Sequence, residues 1–226
     1  MNLNTETFKP PYNYNPEIGE LFDDKVVSIK PSIRVDKQLL KGLSLFQRIL
    51  LITNGSVTAL LEHYLDELIL VNKIYEKLEK DIGPLSDKHK QYISVDDMPV
   101  LNRHVFLQGQ ASRNNLVYAE STILINNLPA DFRSDLLVSC EPIGKLWSKH
   151  RLETYKALLV TGQEKADSLL ADHFNMPLNG EIMFRTYNVY THGKIIMIIT
   201  EKFPSHFFRD EAHLGADTRQ VAATIA

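Results

Sequence analysis

Residues 181–203 read EIMFRTYNVYTHGKIIMIITEKF, and the fold class follows from this stretch. It contains two runs rich in β-branched and aromatic residues, which are typical of β-strands. The runs are separated by His192 and Gly193, a two-residue connection typical of a tight β-hairpin. The stretch therefore predicts two antiparallel strands, residues 181–191 and 194–203, that pair through this turn.

A second hairpin is predicted nearer the middle of the chain. Residues 100–108 and 116–125 alternate or run apolar, and the polar residues 109–115 between them predict a turn. Residues 68–78 are also strand-like in composition. Two hairpins and one further strand indicate a sheet that is mainly antiparallel.

A pair of helices is predicted ahead of these strands. Apolar residues recur at helical spacing over residues 36–50 and 57–65, and Asn54-Gly55 breaks the chain between them. Asp36 and Ser56 are placed to cap the two helices. The resulting helix–turn–helix hairpin carries no Lys or Arg on its second helix, which disfavours DNA recognition.

The remaining pattern completes an α+β domain. Further helices are predicted over residues 129–138, 142–159 and 164–173. We expect a single domain over residues 36–210, in which helices pack against one side of the antiparallel sheet. Residues 1–35 are rich in Pro, Asn and Tyr and predict an extended arm, and residues 211–226 form a C-terminal tail.

Composition limits the class of partner. The 226 residues carry a formal net charge of −3, which provides no basic field to attract nucleic acid. A single cysteine excludes an intramolecular disulfide, and no apolar run approaches the roughly 20 residues of a membrane helix. The amino terminus lacks a basic and apolar leader. We therefore expect a cytoplasmic protein that binds a small molecule, and neither nucleic acid nor a membrane.

Two charged residues interrupt apolar strand faces. Residues two apart on a strand share a face, and on this spacing Arg103 and Glu201 each lie in an otherwise apolar row. An unpaired charge in an apolar core costs several kcal/mol, so each residue needs a partner or a polar cavity. The apolar neighbours are Leu101, Val105 and Leu107 for Arg103, and Ile195, Met197, Ile199 and Phe203 for Glu201.

Two interpretations of these charges stay open. In the first, Arg103 and Glu201 pair with each other or lie on solvated faces. In the second, they stand apart in an apolar pocket that holds a ring with a carboxylate at one end and a hydroxyl at the other. Glu120 and Arg185 are further candidates, but a mixed strand face at Glu120 and a solvated or paired Arg185 favour structural roles equally well.

The sequence lacks most familiar catalytic motifs. It contains no Gly-x-Ser-x-Gly, no phosphate-binding loop and no Gly-x-Gly-x-x-Gly. Its eight histidines show no HExxH or other ligand spacing, so we expect no metal. The remaining functional classes are an enzyme that works without a cofactor and a protein that binds a ligand without catalysis.

Several short segments resemble the chorismate pyruvate-lyase family, also called 4-hydroxybenzoate synthase. Each motif is weak alone, but together they follow the family's order. The segments are Arg48–Thr58 (RILLITNGSVT), Val100–Gly109 (VLNRHVFLQG), Tyr118–Ser121 (YAES), Glu141–Gly144 (EPIG), Leu152–Tyr155 (LETY), Ile198–Phe203 (IITEKF) and Phe208–Asp210 (FRD).

The resemblance implies a fold and a set of site residues. The fold is a six-stranded antiparallel sheet with an internal pocket under helix–turn–helix flaps, and the hairpin of residues 36–65 resembles one flap. By position, Arg103 is similar to the family's carboxylate-binding arginine and Glu201 to its pocket glutamate. By the same resemblance, Ile143, Gly144, Val57 and Thr58 are predicted to bind substrate. Arg185, for a second carboxylate, and Glu120 complete the predicted set on the basis of their places in the strands, not of the resemblance.

The resemblance also implies an activity, which is elimination of pyruvate from chorismate to leave 4-hydroxybenzoate, with no metal or organic cofactor. Two alternatives stay open. Residues 170–204 also resemble small-molecule sensing domains of the UTRA type, but those carry a basic winged helix where residues 1–35 stand here. The other alternative is a homologue that makes a different hydroxybenzoate.

Overall fold

The computed structural model describes residues 41–79, 99–139 and 141–209. Within these residues, six strands form one antiparallel sheet. The strands are β1 Ile69–Glu79, β2 Val100–Gly109, β3 Asn115–Leu124, β4 Tyr155–Lys165, β5 Glu181–Thr191 and β6 Lys194–Pro204. Their spatial order is β1-β2-β3-β6-β5-β4.

Both predicted hairpins are confirmed. β2 pairs with β3, and β5 pairs with β6 around the His192-Gly193 turn, where both residues have positive φ. The predicted strand at residues 68–78 is confirmed as β1. Pairing of β3 with β6 joins the two halves, so the centre of the sheet is made by strands that are far apart in sequence.

The described helices are α1 Leu45–Ile52, α2 Val57–Leu65, α3 Ala130–Val138, α4 Ile143–Lys149 and α5 Ser168–His173, with 3-10 turns at Ile125–Asn127 and Ser205–Phe208. The predicted helix–turn–helix hairpin is confirmed as α1 and α2, but the first helix is shorter than predicted, because residues 42–44 are not helical and α1 begins at Leu45. Ser56 caps α2 by accepting a hydrogen bond from the Ala59 amide. Ser44 caps α1 through a capping box with Gln47. The predicted cap Asp36 lies outside the described residues, as do residues 1–35 and 211–226.

The helix predicted over residues 142–159 is wrong in its second half. α4 ends at Lys149, and Arg151 takes a positive φ of 49° that stops helical continuation. Residues from Tyr155 onward form β4, an edge strand that pairs only with β5 within the described residues. The apolar run in β4 has no clear period, so pairing with β5 decides its conformation. Of the helix predicted over residues 164–173, only α5 is helical, capped by Asp167.

One face of the sheet positions the site. Helices α1 and α2 pack over Leu107, Val117, Met183 and Phe203, and helices α3 and α4 pack over Leu101, Tyr187, Val189 and Met197. These strand residues share a face by register. Helix α5 packs instead near Phe106 and Tyr118, which alternate to the opposite face. The two helix pairs therefore cover one face side by side, and a space is left where they meet.

Candidate functional site

A cavity lies between the covered sheet face and the beginnings of α2 and α4. It encloses about 570 Å³ of empty space when the open space at its mouth is included. The apolar part of its wall includes Val71, Val105, Leu107 and Ile199. The cavity is also lined by polar side chains from five strands, β2 to β6, which makes it a ligand-binding candidate.

Six of the eight predicted site residues line this cavity. Arg103 and Glu201 are contributed by the sheet, as alternation predicted. The remaining members come from the starts of two helices and form its roof. They are Val57 and Thr58 of α2, and Ile143 and Gly144 of α4.

Arg103 lies on β2 and is 4% exposed. Its Nε atom is 3.5 Å from the Glu76 carboxylate of β1, and Ser121 is its cross-strand neighbour on β3. The guanidinium is therefore held at the cavity wall by a neighbouring carboxylate while it borders the empty space. Its planar fork of donors suits a bidentate carboxylate ligand.

Glu201 lies on β6 in a buried hydrogen-bonded group. Its Oε2 accepts from Arg185 Nε at 2.7 Å, and its Oε1 accepts from the Tyr187 hydroxyl at 2.9 Å. Burial lowers the pKa of Arg185, but the charge of Glu201 outweighs this effect and the net pKa is raised. Burial and the same carboxylate raise the pKa of Tyr187. Glu201 is thus fixed in orientation by two donors from β5.

The two charges stand apart and have different partners. β3 lies between β2 and β6, which separates the backbones of Arg103 and Glu201 by about 10 Å. Glu201 forms its ion pair with Arg185, and Arg103 lies beside Glu76. This arrangement favours the second interpretation of the sequence pattern, in which an apolar cavity holds two opposite charges at separate points.

Two predicted site residues do not line the cavity. Glu120 alternates with Ala119 and Ser121, so its side chain points to the opposite face, where it lies 3.6 Å from Lys202. Arg185 is on the cavity face but is 1% exposed, and it binds Glu201 together with the Thr53 carbonyl at 2.7 Å. In both cases strand periodicity could not reveal which neighbour the side chain contacts.

Sequence reasoning missed a cation in the cavity wall. Lys156 lies on β4 and is 8% exposed, and its Nζ donates to the Gly55 carbonyl at 2.7 Å. The ammonium lies over the rings of Trp147 and Tyr187, at 4.8 and 5.4 Å from their centroids. Burial lowers its pKa to about 8. Lys156 was missed because its segment was predicted to be helical.

The roof consists of two helix pairs in close contact. A Cβ atom on Gly144 would lie 2.7 Å from the Ser56 hydroxyl, so a larger residue there would have to displace the start of α4 or the Ser56 side chain that caps α2. Lys145 of α4 forms a 2.6 Å ion pair with Glu62 of α2. Glu62 also accepts a hydrogen bond from the Ile69 amide of β1. The roof is therefore formed where the helix pair α1 and α2 meets the helix pair α3 and α4, and this line of contact is called the seam.

Gly144→Val should lower the free energy of unfolding by about 1–3 kcal/mol, because the added carbons overlap Ser56 and force the seam apart. Chemical denaturation measures the loss. Gly42→Val is the matched control, since a Cβ there meets nothing within 4 Å, and it should be much less destabilised. Equal losses in the two variants would show that the close contact at Gly144 is unimportant.

A family model described as Chorismate pyruvate-lyase Rv2949c-like matches residues 51–209 of the chain. The chain belongs to this family. The match spans α2 and α4 of the roof together with Arg103, Glu201 and Lys156. The family resemblance inferred from short segments is thereby confirmed.

Curated relatives match most of the chain. The chorismate pyruvate-lyase of Mycobacterium tuberculosis (strain H37Rv) is 29% identical over 188 residues, which are 83% of this chain and 94% of that protein. The chorismate pyruvate-lyase of Mycobacterium leprae is 31% identical over 79% of this chain and 83% of its own. A putative lyase, MJ0807 of Methanocaldococcus jannaschii, is 30% identical over 70% and 77%.

Solved structures agree on the fold. The effector domain of PhnF from Mycobacterium smegmatis superposes with a TM-score of 0.53, at 10% identity, over 69% of this chain and 92% of that domain. This likeness and the observed sheet confirm the predicted α+β class with a six-stranded antiparallel sheet. At this identity, the likeness concerns the fold alone.

The described residues contain neither a candidate membrane-spanning helix nor a cluster of metal ligands. No helix there has the length and apolar character needed to cross a membrane. No group of three or more His, Cys, Asp or Glu residues there is arranged to hold a metal ion. The cytoplasmic location and the lack of a nucleic-acid partner stay predictions from the sequence.

Proposed function

We propose that this member of the chorismate pyruvate-lyase family eliminates pyruvate from chorismate to give 4-hydroxybenzoate, without metal or organic cofactor. The observation that carries the proposal is the apolar cavity in which Arg103 and Glu201 stand on separate strands. Chorismate is a ring with a carboxylate at one end and a hydroxyl at the other, so the cavity offers a complementary group to each. Family membership supports the same substrate.

Substrate binding begins with the ring carboxylate. Arg103 binds it through two parallel hydrogen bonds, which fixes both the position and the plane of the ring. Val57 and Thr58 on one side and Ile143 and Gly144 on the other close over the ring.

Glu201 meets the ring hydroxyl at the opposite end. Arg185 and Tyr187 each use one lone pair of its carboxylate, which leaves further acceptor positions for the hydroxyl. Arg185 therefore serves as a positioning residue for Glu201 in this mechanism, in place of the substrate contact predicted from sequence. Glu120 acts in the ionic cluster with Lys202 on the opposite face.

The chemistry is an elimination that makes the ring aromatic. The C–H bond at the carbon bearing the hydroxyl breaks, and its electron pair forms the third double bond of the ring as the C–O bond at the neighbouring carbon breaks. Enolpyruvate leaves and takes up a proton on its methylene carbon to become pyruvate. Aromatisation provides the driving force, so the protein orients the ring through Arg103 and assists proton movement through Glu201.

The test is to incubate the full-length protein with chorismate and a chelator, and to separate the products by chromatography. We expect equal amounts of pyruvate and 4-hydroxybenzoate, at a rate that added divalent metal does not increase. Release of 3-hydroxybenzoate would assign a different lyase reaction. Binding of chorismate or 4-hydroxybenzoate without pyruvate release would favour the sensing alternative and contradict the proposal.

A further inference from the structure

Lys156 is a buried cation without a carboxylate partner among the described residues. Its Nζ makes one hydrogen bond within those residues, to the Gly55 carbonyl, and takes part in no ion pair there. An ammonium group has three donors, so two remain for another acceptor. Trp147 and Tyr187 contact it through their ring faces, and the side chain borders the cavity.

The charges around Lys156 make an anionic ligand favourable. Burial has the largest effect on the pKa of Lys156 and lowers it. The charge of Glu201 raises this pKa, and the charge of Arg185 lowers it. Since Glu201 is already bound to Arg185, its charge is largely compensated at short range. Arg151 lines an outer recess that shares Lys156, Trp147 and Gly144 with the cavity wall. A carboxylate beside Lys156 would therefore compensate a buried charge that the protein leaves incompletely paired.

The position of Lys156 differs from that of Arg103 in a way that suits a second anionic group. Glu201 lies on β6, two strands from Arg103 on β2 in one direction and two strands from Lys156 on β4 in the other. The backbones of the two cationic residues are thus separated by about 19 Å. Even long side chains at this separation serve two different carboxylates better than one.

We propose that Lys156 binds the carboxylate of the departing three-carbon group, and so determines the preference for a dicarboxylate substrate over a monocarboxylate product. This inference rests on the proposed function. Elimination breaks the C–O bond between the ring and the enolpyruvyl group, which carries the second carboxylate. The hydroxybenzoate that remains keeps its contacts with Arg103 and Glu201, but it no longer carries the carboxylate that binds Lys156.

The same ammonium also holds the turn of the first helix pair through the Gly55 carbonyl, beside the bond from Arg185 to the Thr53 carbonyl. A substitution at Lys156 could therefore act by loosening this turn. Lys156→Gln keeps a donor for the Gly55 carbonyl and removes the charge. Lys156→Arg keeps the charge. Together they separate loss of charge from loss of the turn.

The experiment measures KM and kcat for pyruvate release from chorismate and the dissociation constant of 4-hydroxybenzoate. Lys156→Gln should raise the KM for chorismate roughly 10- to 100-fold and change the affinity for 4-hydroxybenzoate less than about threefold. Lys156→Arg should recover much of the chorismate affinity. Lys194→Gln, an exposed residue with the same change of charge, is the matched control and should change neither value.

The pH dependence supplies a readout that loosening of the turn would not produce. Lys156 is charged below its pKa of about 8 and neutral above it, so the KM for chorismate should rise above pH 8 in the wild type. Lys156→Arg should remove this rise, because arginine stays protonated. Glu201, Arg185 and Tyr187 face the same group and remain unchanged in that variant.

Two results would overturn the role of Lys156. One is an equal loss of affinity for chorismate and 4-hydroxybenzoate in Lys156→Gln, and the other is an unchanged affinity for chorismate. The test remains separate from that of the proposed function. If the wild type binds chorismate and releases no pyruvate, the proposed function fails. Calorimetric titration of chorismate and of 4-hydroxybenzoate into the wild type and into Lys156→Gln then still decides whether Lys156 recognises the second carboxylate.

Discussion

Arg103→Met should lower kcat/KM for pyruvate release about 1,000-fold, because a buried guanidinium that holds the ring carboxylate has no replacement in the cavity. Methionine retains much of the volume and leaves Glu76 next to a neutral side chain. Steady-state kinetics with chorismate measure the loss, and circular dichroism checks that the sheet is intact.

Arg103→Lys provides the matched comparison. It keeps the positive charge and loses the planar fork, so it should remain well below wild type if two parallel hydrogen bonds orient the ring. A lysine variant with full activity would reduce the role of Arg103 to charge alone. Activity within tenfold of wild type in Arg103→Met would remove it as the anchor of the ring carboxylate.

Glu201→Gln should lower kcat about 100- to 10,000-fold, the range expected when a group that assists proton transfer is removed. The amide keeps an oxygen that can accept from one of its two donors, Arg185 or Tyr187, so the side chain stays near its present position. The affinity for 4-hydroxybenzoate should change much less than kcat, because Arg103 still binds the ring carboxylate.

The free energy of unfolding reports on the ion pair of Glu201 with Arg185, whereas kcat reports on its part in proton movement. The substitution leaves Arg185 as a buried charge without its carboxylate, and breaking a buried pair from one side costs about 3–5 kcal/mol when nothing replaces it. The retained amide oxygen should reduce this loss. Glu181→Gln, at the exposed start of β5, is the control and should preserve both stability and turnover. A folded Glu201→Gln protein with normal kcat would exclude Glu201 from proton movement.

The fold itself does not select between an enzyme and a sensor. The PhnF effector domain has a similar sheet at only 10% identity, and a shared fold does not imply a shared function. The lyase proposal depends instead on the groups inside the cavity and on family membership. Turnover of chorismate, and the variants of Arg103 and Glu201, therefore carry more weight than any further comparison of folds.

Strand periodicity was sufficient to find the two central charges. Arg103 and Glu201 were identified because each breaks an apolar row, and a strand places every second residue on one face. The roof residues Val57, Thr58, Ile143 and Gly144 were predicted from the family resemblance, because nothing in their local spacing points to a ligand. The cavity contains all six.

Local spacing in the chain was enough to predict both hairpins, the first helix pair and the apolar faces of the strands, since turn residues and side-chain alternation act over a few neighbouring positions. It could not show that residues 155–165 form an edge strand, because β5 supplies the pairing that stabilises it. For the same reason Lys156 was missed and Arg185 was predicted to contact substrate. Which charge pairs with which depends on side chains brought together from distant strands, and that information is present only once the sheet has formed.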